Sequence, residues 1–356
     1  MWKAAVLGAG YMGSAITFPL SDNGIKVNLW GTWLDDKLIE GSEKGKHPKL
    51  KKPLNPGVSC FYFKDLKQAI KNTDIIFIGV TSEGFVNIFE LLIDNIEPDK
   101  DYMFFKLTKG LVEYEGRIMR ASEAAKLIYY KKFPDREKSQ KEAHVFKITS
   151  IGGPVRALDL ANRTPSTSVY GIQDEQIREL LKMFSTDYYR IFPENDHAGV
   201  EICSTFKNIY SIAAGICDGL FKINLEGLYH NVVAFLFNQA VLEIKHIVEI
   251  AGGKPQTAFG LAGMGDLHVT SVAGRNRRYG EMVGSGVEPG AAFKKMLDEG
   301  EYGEGYMALK LAIPWLSNFK IEMASELPLL NLLNNIVSKG FDPAAELKAF
   351  VLNSGI

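Results

Sequence analysis

The first half of the chain alternates short apolar, β-branched runs with amphipathic segments, the pattern of a parallel sheet covered by helices. Strands are predicted at Lys3–Leu7, Lys26–Trp30, Asp74–Val80, Tyr102–Lys106 and Val145–Ile151, with others near Ser166–Tyr170 and Tyr188–Phe192. Helical spacing falls between them at Asp65–Asn72 and Phe85–Ile93, while the charged stretch Tyr130–Glu142 reads as a solvated loop or helix end. After Pro193 the texture changes to long helical periods over Asp196–Cys217, Leu228–Ala251, Ala291–Leu297, Met307–Ser317 and Pro328–Lys339. The expected organisation is an α/β, doubly wound N-terminal domain over residues 1–193 followed by an all-helical C-terminal domain over 194–356. No repeat, low-complexity tract or Pro-rich linker separates them, which predicts close packing of the two.

With 356 residues, 46% hydrophobic and 23% charged, the chain can bury a sizeable core, which excludes disorder, collagen and a disulfide-stapled miniature. Lys+Arg 41 against Asp+Glu 42 leaves a net charge of −1, without the basic footprint that a nucleic acid needs. Any anionic ligand must be caught locally. Cys60, Cys203 and Cys217 are odd in number and widely spaced, so they read as reduced thiols of a cytoplasmic protein, and no metal site is expected. No apolar run reaches the ~18 residues of a membrane span. Met1-Trp2-Lys3 leads straight into a glycine-rich turn, not toward a signal-peptidase site, so the mature protein is expected to begin here.

That turn is Gly8-Ala9-Gly10-Tyr11-Met12-Gly13, placed directly after the first strand and opening into a helical segment, Ser14–Leu20. In this context Gly8 permits the tight turn, Gly10 lets backbone approach a pyrophosphate, and Gly13 lets helix pack on strand, leaving the helix N-terminus facing phosphates. The reading is a Rossmann-type dinucleotide site for NAD(H) or NADP(H). An NAD enzyme usually carries an acid at the end of the second strand, but here the strand ends Leu29-Trp30-Gly31-Thr32-Trp33. Asp35 and Asp36 come a few residues late, and no Arg stands ready for a 2′-phosphate, so NAD is slightly favoured.

Three further strings hold polar groups among apolar neighbours: Thr108-Lys109-Gly110-Leu111, Phe206-Lys207-Asn208, and Gly263-Met264-Gly265-Asp266-Leu267 running on to Thr270 and Gly274-Arg275-Asn276-Arg277-Arg278. Lys207 sits among Val200, Ile202, Phe206, Ile209 and Ile212, where desolvation should bring its pKa toward the range useful for proton transfer. Asp266 is its natural counter-ion. Arg275 and Asn276 offer a guanidinium fork and an amide to a phosphate or carboxylate, with a solvated basic turn as the plainer account of Arg275–Arg278. Lys109 lies beyond a strand's carboxyl end, where ligands of doubly wound sheets gather. His246 and Glu249, one helical turn apart, lack the further ligands a metal needs, and His268 receives no role.

The order of these strings resembles the NAD(P)-dependent glycerol-3-phosphate dehydrogenase family over nearly the whole chain. GAGYMG, TKGL, GGP, GVEICSTFKNIYSIAAGICDGL, AGMGDL, GRNRRYG and the late Glu304-Gly305 follow that family's order and spacing. The resemblance implies hydride transfer between a nicotinamide and C2 of dihydroxyacetone phosphate, giving sn-glycerol 3-phosphate for phospholipid synthesis. It implies Lys207 as general acid and base, Lys109 as a contact for substrate and cofactor, and Asp266 and Thr270 as orienting groups. Substrate contacts are further implied at Gly153, Asn208, Arg275 and Asn276. Cofactor contacts are implied at Gly8, Gly10, Tyr11, Met12, Gly13, Thr32, Ala157, Arg275 and Glu304. The substrate is expected in a cleft between sheet and helical domain, and the enzyme is expected to be a homodimer.

Four positions depart from the family pattern. Val155 stands where a Ser, Thr or Asn usually follows Gly153-Pro154, Thr81 replaces a common proline, Thr32 a common Arg, and Gly274 a common Ser. Val155 removes one polar contact worth about 0.5–1.5 kcal/mol, which admits a different phosphorylated ketone. The alternatives are a two-domain dehydrogenase of another phosphorylated ketone or hydroxy acid, and a nucleotide sensor without catalysis. A sensor has no need of Lys109, Lys207 and Asp266 together.

Overall fold

A computed structural model describes residues 2–137, 146–221 and 229–353. The chain divides into two compact units, residues 1–201 and 202–356. The division falls inside one long helix that starts shortly after Pro193.

Unit 1 is built from strands β1 (Lys3–Leu7), β2 (Lys26–Trp30), β3 (Val58–Phe61), β4 (Ile75–Ile78), β5 (Met103–Lys106), β6 (Leu111–Tyr114), β7 (Arg117–Arg120), β8 (Ile148–Gly152), β9 (Ser166–Gly171) and β10 (Tyr189–Glu194). Eight of them form one sheet in the order β10-β9-β8-β5-β4-β1-β2-β3, and β6 and β7 form a separate hairpin. β1 pairs in parallel with both β2 and β4. Chain order therefore reverses at β1, the topological switch point beyond whose carboxyl end ligands of doubly wound sheets bind. Alternate residues serve opposite faces: Ala4, Val6, Phe77 and Phe105 join the core that holds Ile16 and Phe18. Ala5, Leu7, Ile76, Ile78 and Phe104 join the one that holds Phe85, Phe89 and Leu92. A strand buried on both faces is continuously apolar, which is why β1 and β4 were legible from composition. The helices of this unit are α1 (Tyr11–Asp22), α2 (Asp36–Glu43), α3 (Leu66–Ile70), α4 (Ser82–Asn95), α5 (Ala121–Lys132), α6 (Pro134–Glu137), α7 (Ala157–Ala161) and α8 (Glu175–Lys182).

Three features differ from the sequence expectation. β3 is an additional, half-exposed edge strand. The hairpin turns at Glu115 and Gly116, both at positive φ (50° and 72°), the geometry of a two-residue hairpin turn. The sheet is not wholly parallel, since β9 runs antiparallel to β8 and carries β10 with it. The connection from β8 to β9 holds α7 and returns the chain beside β8 in the opposite direction. Of the charged stretch, Tyr130–Lys132 close α5 and Pro134–Glu137 form α6, while residues 138–142, Val145 and Leu228 lie outside the described residues.

The long helix α9 (His197–Phe221) is followed by α10 (His230–Ile250), α11 (Asp266–Val272), α12 (Arg275–Gly284), α13 (Pro289–Asp298), α14 (Glu304–Leu316), α15 (Met323–Glu326), α16 (Pro328–Lys339) and α17 (Pro343–Asn353). α9 is buried from Gly199 to Asp218, with polar side chains such as Glu201, Lys207, Asn208 and Asp218 among its apolar ones. α12 crosses it at backbone distance: a Cβ on Gly215 would lie 2.0 Å from the Arg277 carbonyl oxygen, and one on Gly280 2.2 Å from that of Ile212. Glu243 of α10 accepts hydrogen bonds from the Tyr210 hydroxyl, the Gln239 amide and the Leu329 and Leu330 backbone N–H groups at 2.8, 2.9, 2.6 and 2.9 Å. One buried carboxylate thus caps α16 and ties it to α9 and α10. Among the described residues no helix is long and apolar enough to cross a membrane.

Unit 1 also holds a buried polar centre. The Lys106 ammonium lies 3.2 Å from Glu201, both 1% exposed, and donates to the Thr108 carbonyl at 2.8 Å. Glu201 accepts from the Ser122 N–H at 3.1 Å and from its hydroxyl. Burial opposes the charged carboxylate, but Lys106 foremost among its neighbours outweighs that and holds Glu201 down at about 2. His197 meets the Ser150 hydroxyl at 3.0 Å, and burial pushes its imidazole from 6.5 down to about 4. Between those values the unfolded chain binds a proton that the folded chain refuses, so stability falls as pH drops from 6.5 toward 4, by about 3 kcal/mol for this group. Denaturant unfolding across that range should show the loss, and His197→Gln should flatten it. An unchanged slope in the variant would assign the loss elsewhere.

Candidate active site

The positions singled out in unit 1 follow the carboxyl ends of adjacent parallel strands, so they gather on one edge of the sheet. Gly8 follows β1, Thr32 β2, Lys109 β5 and Gly153 β8. Gly8 has φ +105°, open to glycine at little cost, and a Cβ on Gly13 would stand 2.0 Å from the Gly8 carbonyl oxygen. A Cβ on Gly10 would meet nothing within 4 Å, so the turn faces open space at the N-terminus of α1. This is the space that a pyrophosphate approaching backbone N–H groups would take, and the residues present fit a dinucleotide. Tyr11 is exposed at the mouth with the Lys49 ammonium 5.4 Å from its ring centre, whereas Met12 packs partly into the core.

Two side chains that sequence reasoning undervalued shape this turn. Asp35 arrives late in sequence but not in space: one carboxylate oxygen accepts from the Ala9 N–H at 3.2 Å and from the Thr32 N–H and hydroxyl at 2.9 Å each. An acidic side chain five residues beyond β2 thus stands beside the glycine turn, bonded to Thr32 by both its N–H and its hydroxyl. His47 is fully buried; its Nδ1 accepts from the Leu50 N–H at 3.1 Å, which leaves Nε2 to donate to the Ala9 carbonyl at 3.0 Å, with the Ser14 hydroxyl at 2.9 Å. Burial lowers its pKa, favouring the neutral donor. Nothing local in sequence signals a histidine nearly forty residues beyond the turn it supports.

Lys109 is half-buried on the turn after β5, where the Thr108 hydroxyl donates to the Val80 carbonyl at 2.7 Å. Gly153 has φ +95°, and a Cβ there would sit 2.9 Å from the Val169 nitrogen. Ala157 opens α7. Val155 packs against the sheet's core, so no polar side chain replaces the one absent from its position.

In unit 2, Lys207 of α9 is 6% exposed and Asp266 2%. The ammonium donates to Asp266 Oδ1 at 2.5 Å and to the Thr270 hydroxyl at 2.9 Å. That hydroxyl in turn donates to the Asp266 carbonyl at 2.7 Å. Asp266 comes directly after a π-helical turn, Leu261–Gly265, closed by the Gly265 N–H on the Gly260 carbonyl at 3.2 Å. Such a turn shifts the phase of the following helix and aims its first side chain inward. The next residue of α9, Asn208, donates to Glu304 at 3.0 Å and accepts from Asn276 at 3.0 Å. The Asn276 amide oxygen accepts from the Gly305 N–H at 2.9 Å, and Arg275 reaches Glu304 at 3.1 Å. Asn276 therefore spends its amide on tying α9, α12 and α14 together, while Arg275 stays 42% exposed at the N-terminus of α12.

The remaining candidates are structural. Arg277 pairs with buried Asp218 and the Ser271 and Val272 carbonyls, and Arg278 with Glu299 and Glu301. His246 pairs with Glu326 at 2.9 Å, not with Glu249, and the exposed His268 stands edge-on to Phe237.

A phosphate-ready turn at a topological switch point, together with a shielded ammonium on a central helix, defines a dinucleotide-dependent oxidoreductase. The chain belongs to the NAD-dependent glycerol-3-phosphate dehydrogenase family, whose N-terminus model matches residues 3–178 and whose C-terminus model matches 196–348. It is 32% identical to the NADP(+)-dependent glycerol-3-phosphate dehydrogenase of Archaeoglobus fulgidus, over 86% of this chain and 88% of that one. It is 30% identical to a glycerol-3-phosphate dehydrogenase [NAD(P)+] of Bacillus velezensis, over 96% and 91%. The crystal structure of glycerol-3-phosphate dehydrogenase from Coxiella burnetii superposes with a TM-score of 0.81 at 27% identity, covering 98% of each chain.

The buried pair can be tested by stability alone. Asp266→Leu takes the carboxylate from a buried ammonium and should cost about 3–5 kcal/mol in denaturant unfolding, whereas Lys207→Met/Asp266→Leu should recover most of it. Equal losses in both variants would show that the two charges do not depend on each other.

Proposed function

We propose that the chain interconverts dihydroxyacetone phosphate and sn-glycerol 3-phosphate with NAD(H) or NADP(H), and that Lys207 is its proton donor and acceptor. The observation that carries this reading is the triangle that the buried Lys207 ammonium of α9 forms with Asp266 and Thr270 of α11. Bound nicotinamide would supply the hydride for C2. The chain's own task is to keep a proton at the carbonyl oxygen and to release it as negative charge grows there. Lys207 Nζ hands its proton to that oxygen, Asp266 and Thr270 fix the amine's direction, and the neutral amine recovers a proton from water. In the opposite direction the neutral amine takes the hydroxyl proton. An ammonium fixed before reaction stabilises charge that appears only on the way to the transition state.

Arg275 and the first N–H groups of α12 offer the phosphate a charged fork at a helix N-terminus, with Asn208, Asn276 and Glu304 holding Arg275 in place. Lys109 is assigned contact with the ligands, and Gly8, Gly10, Tyr11, Met12, Gly13 and Ala157 with the dinucleotide. Asp35 is added to that set as the acceptor for adenosine ribose hydroxyls.

Two measurements test the reading. Following NADH absorbance with dihydroxyacetone phosphate, the wild type should turn over and Lys207→Met should lose at least ~10²-fold in kcat while keeping its fold; undiminished turnover would remove Lys207 from the chemistry. Asp35→Asn should raise the ratio of kcat/KM with NADPH to that with NADH by about tenfold, because one negative charge no longer opposes a 2′-phosphate. A constant ratio would place the ribose elsewhere.

A further inference from the structure

β5 is apolar over Met103–Phe105, yet it ends on a lysine that is 1% exposed. An apolar side chain at this position would bury more cheaply, since two desolvated charges seldom repay their own hydration. What Lys106 offers that a leucine cannot is a donor, and its ammonium donates to the Thr108 carbonyl at 2.8 Å. That carbonyl belongs to the peptide unit leading into Lys109. The same residue is fixed twice more, by its N–H on the Ile78 carbonyl at 3.3 Å and its hydroxyl on the Val80 carbonyl at 2.7 Å.

The partner of Lys106 acts at the other end of the same segment. After Lys109 and Gly110 the chain makes the β6–β7 hairpin and enters α5, where Glu201 receives the Ser122 N–H at 3.1 Å and the Ser122 hydroxyl. The segment from Thr108 to Ser122 thus leaves from and returns to one carboxylate, through Lys106 at its start and directly at its end. Arg120, two residues before Ser122, has Glu201 among the charges acting on it.

We infer that Lys106 and Glu201 form a positioning pair that orients the Lys109 side chain by clamping both ends of the loop and hairpin that carry it. The inference rests on the proposed role of Lys109 as a ligand contact. It adds two residues that act through Lys109 and touch no ligand themselves.

A double-mutant cycle tests it, with Lys109→Met as one arm, Lys106→Met/Glu201→Gln as the other, and all three substitutions together, each assayed for kcat and KM with dihydroxyacetone phosphate and NADH and for thermal unfolding. The Lys106→Met/Glu201→Gln variant should lose at least ~10-fold in kcat/KM in the native background but less than ~3-fold in the Lys109→Met background. A purely structural role would give the same loss in both backgrounds, and that result, or unchanged kinetics in the folded variant, would overturn the positioning pair. Normal turnover by Lys109→Met would instead overturn the role of Lys109, and the pair with it. Glu201→Asp, which keeps both charges and shortens the reach by one methylene, carries the same comparison should the charge-free variant not fold.

Discussion

A buried ammonium on a central helix, held by a carboxylate from another, is the constraint on which unit 2 is built. α9 is enclosed from Gly199 to Asp218, so a charge at Lys207 survives only where a partner reaches it without water. Asp266 does so because a π-helical turn precedes it, and Thr270 completes the set from the next turn of α11. The helices around them approach at glycine contacts, which bring the amides of Asn208 and Asn276 within reach of each other. None of these devices is the most stable way to fill a core. Together they fix the Lys207 side chain in one direction.

Unit 1 follows a comparable logic at its carboxyl edge. The glycine turn supplies backbone N–H groups and room, but its shape depends on side chains brought from afar: Asp35 accepts from the Ala9 N–H and His47 donates to the Ala9 carbonyl. Both groups of one peptide residue are thereby occupied by protein, which orients the turn before any phosphate arrives. Ordering done in advance is not charged to binding.

The legible parts of the chain were those whose signal is local. β1 and β2 matched the apolar runs Lys3–Leu7 and Lys26–Trp30, and α16 matched Pro328–Lys339, because continuous burial and a terminal proline both leave marks in a few residues. The glycine string and Lys207 were legible for the same reason. Edge strand β3, half-exposed and four residues long, and the Glu115-Gly116 hairpin carry little periodicity. The reversal at β9 concerns strand direction, which an alternation of strands and helices does not encode. Asp35 looked displaced because strand-end spacing was taken as rigid, whereas the chain folds back after Trp33. The bonds of Asn276 to Asn208 and Gly305 left no mark in sequence, and Lys106, Glu201 and Glu243 acquired meaning only once partners 60 to 100 positions apart, such as Leu329 and Glu243, were adjacent.

The central claim is that a primary amine at position 207 moves the proton. Chemical rescue addresses it without relying on loss alone. Lys207→Ala should be nearly inactive toward dihydroxyacetone phosphate and should regain turnover in proportion to added methylammonium or ethylammonium, with larger amines rescuing less as the vacated channel excludes them. Activity that stays flat as amine is added to folded, dinucleotide-binding Lys207→Ala would contradict the account.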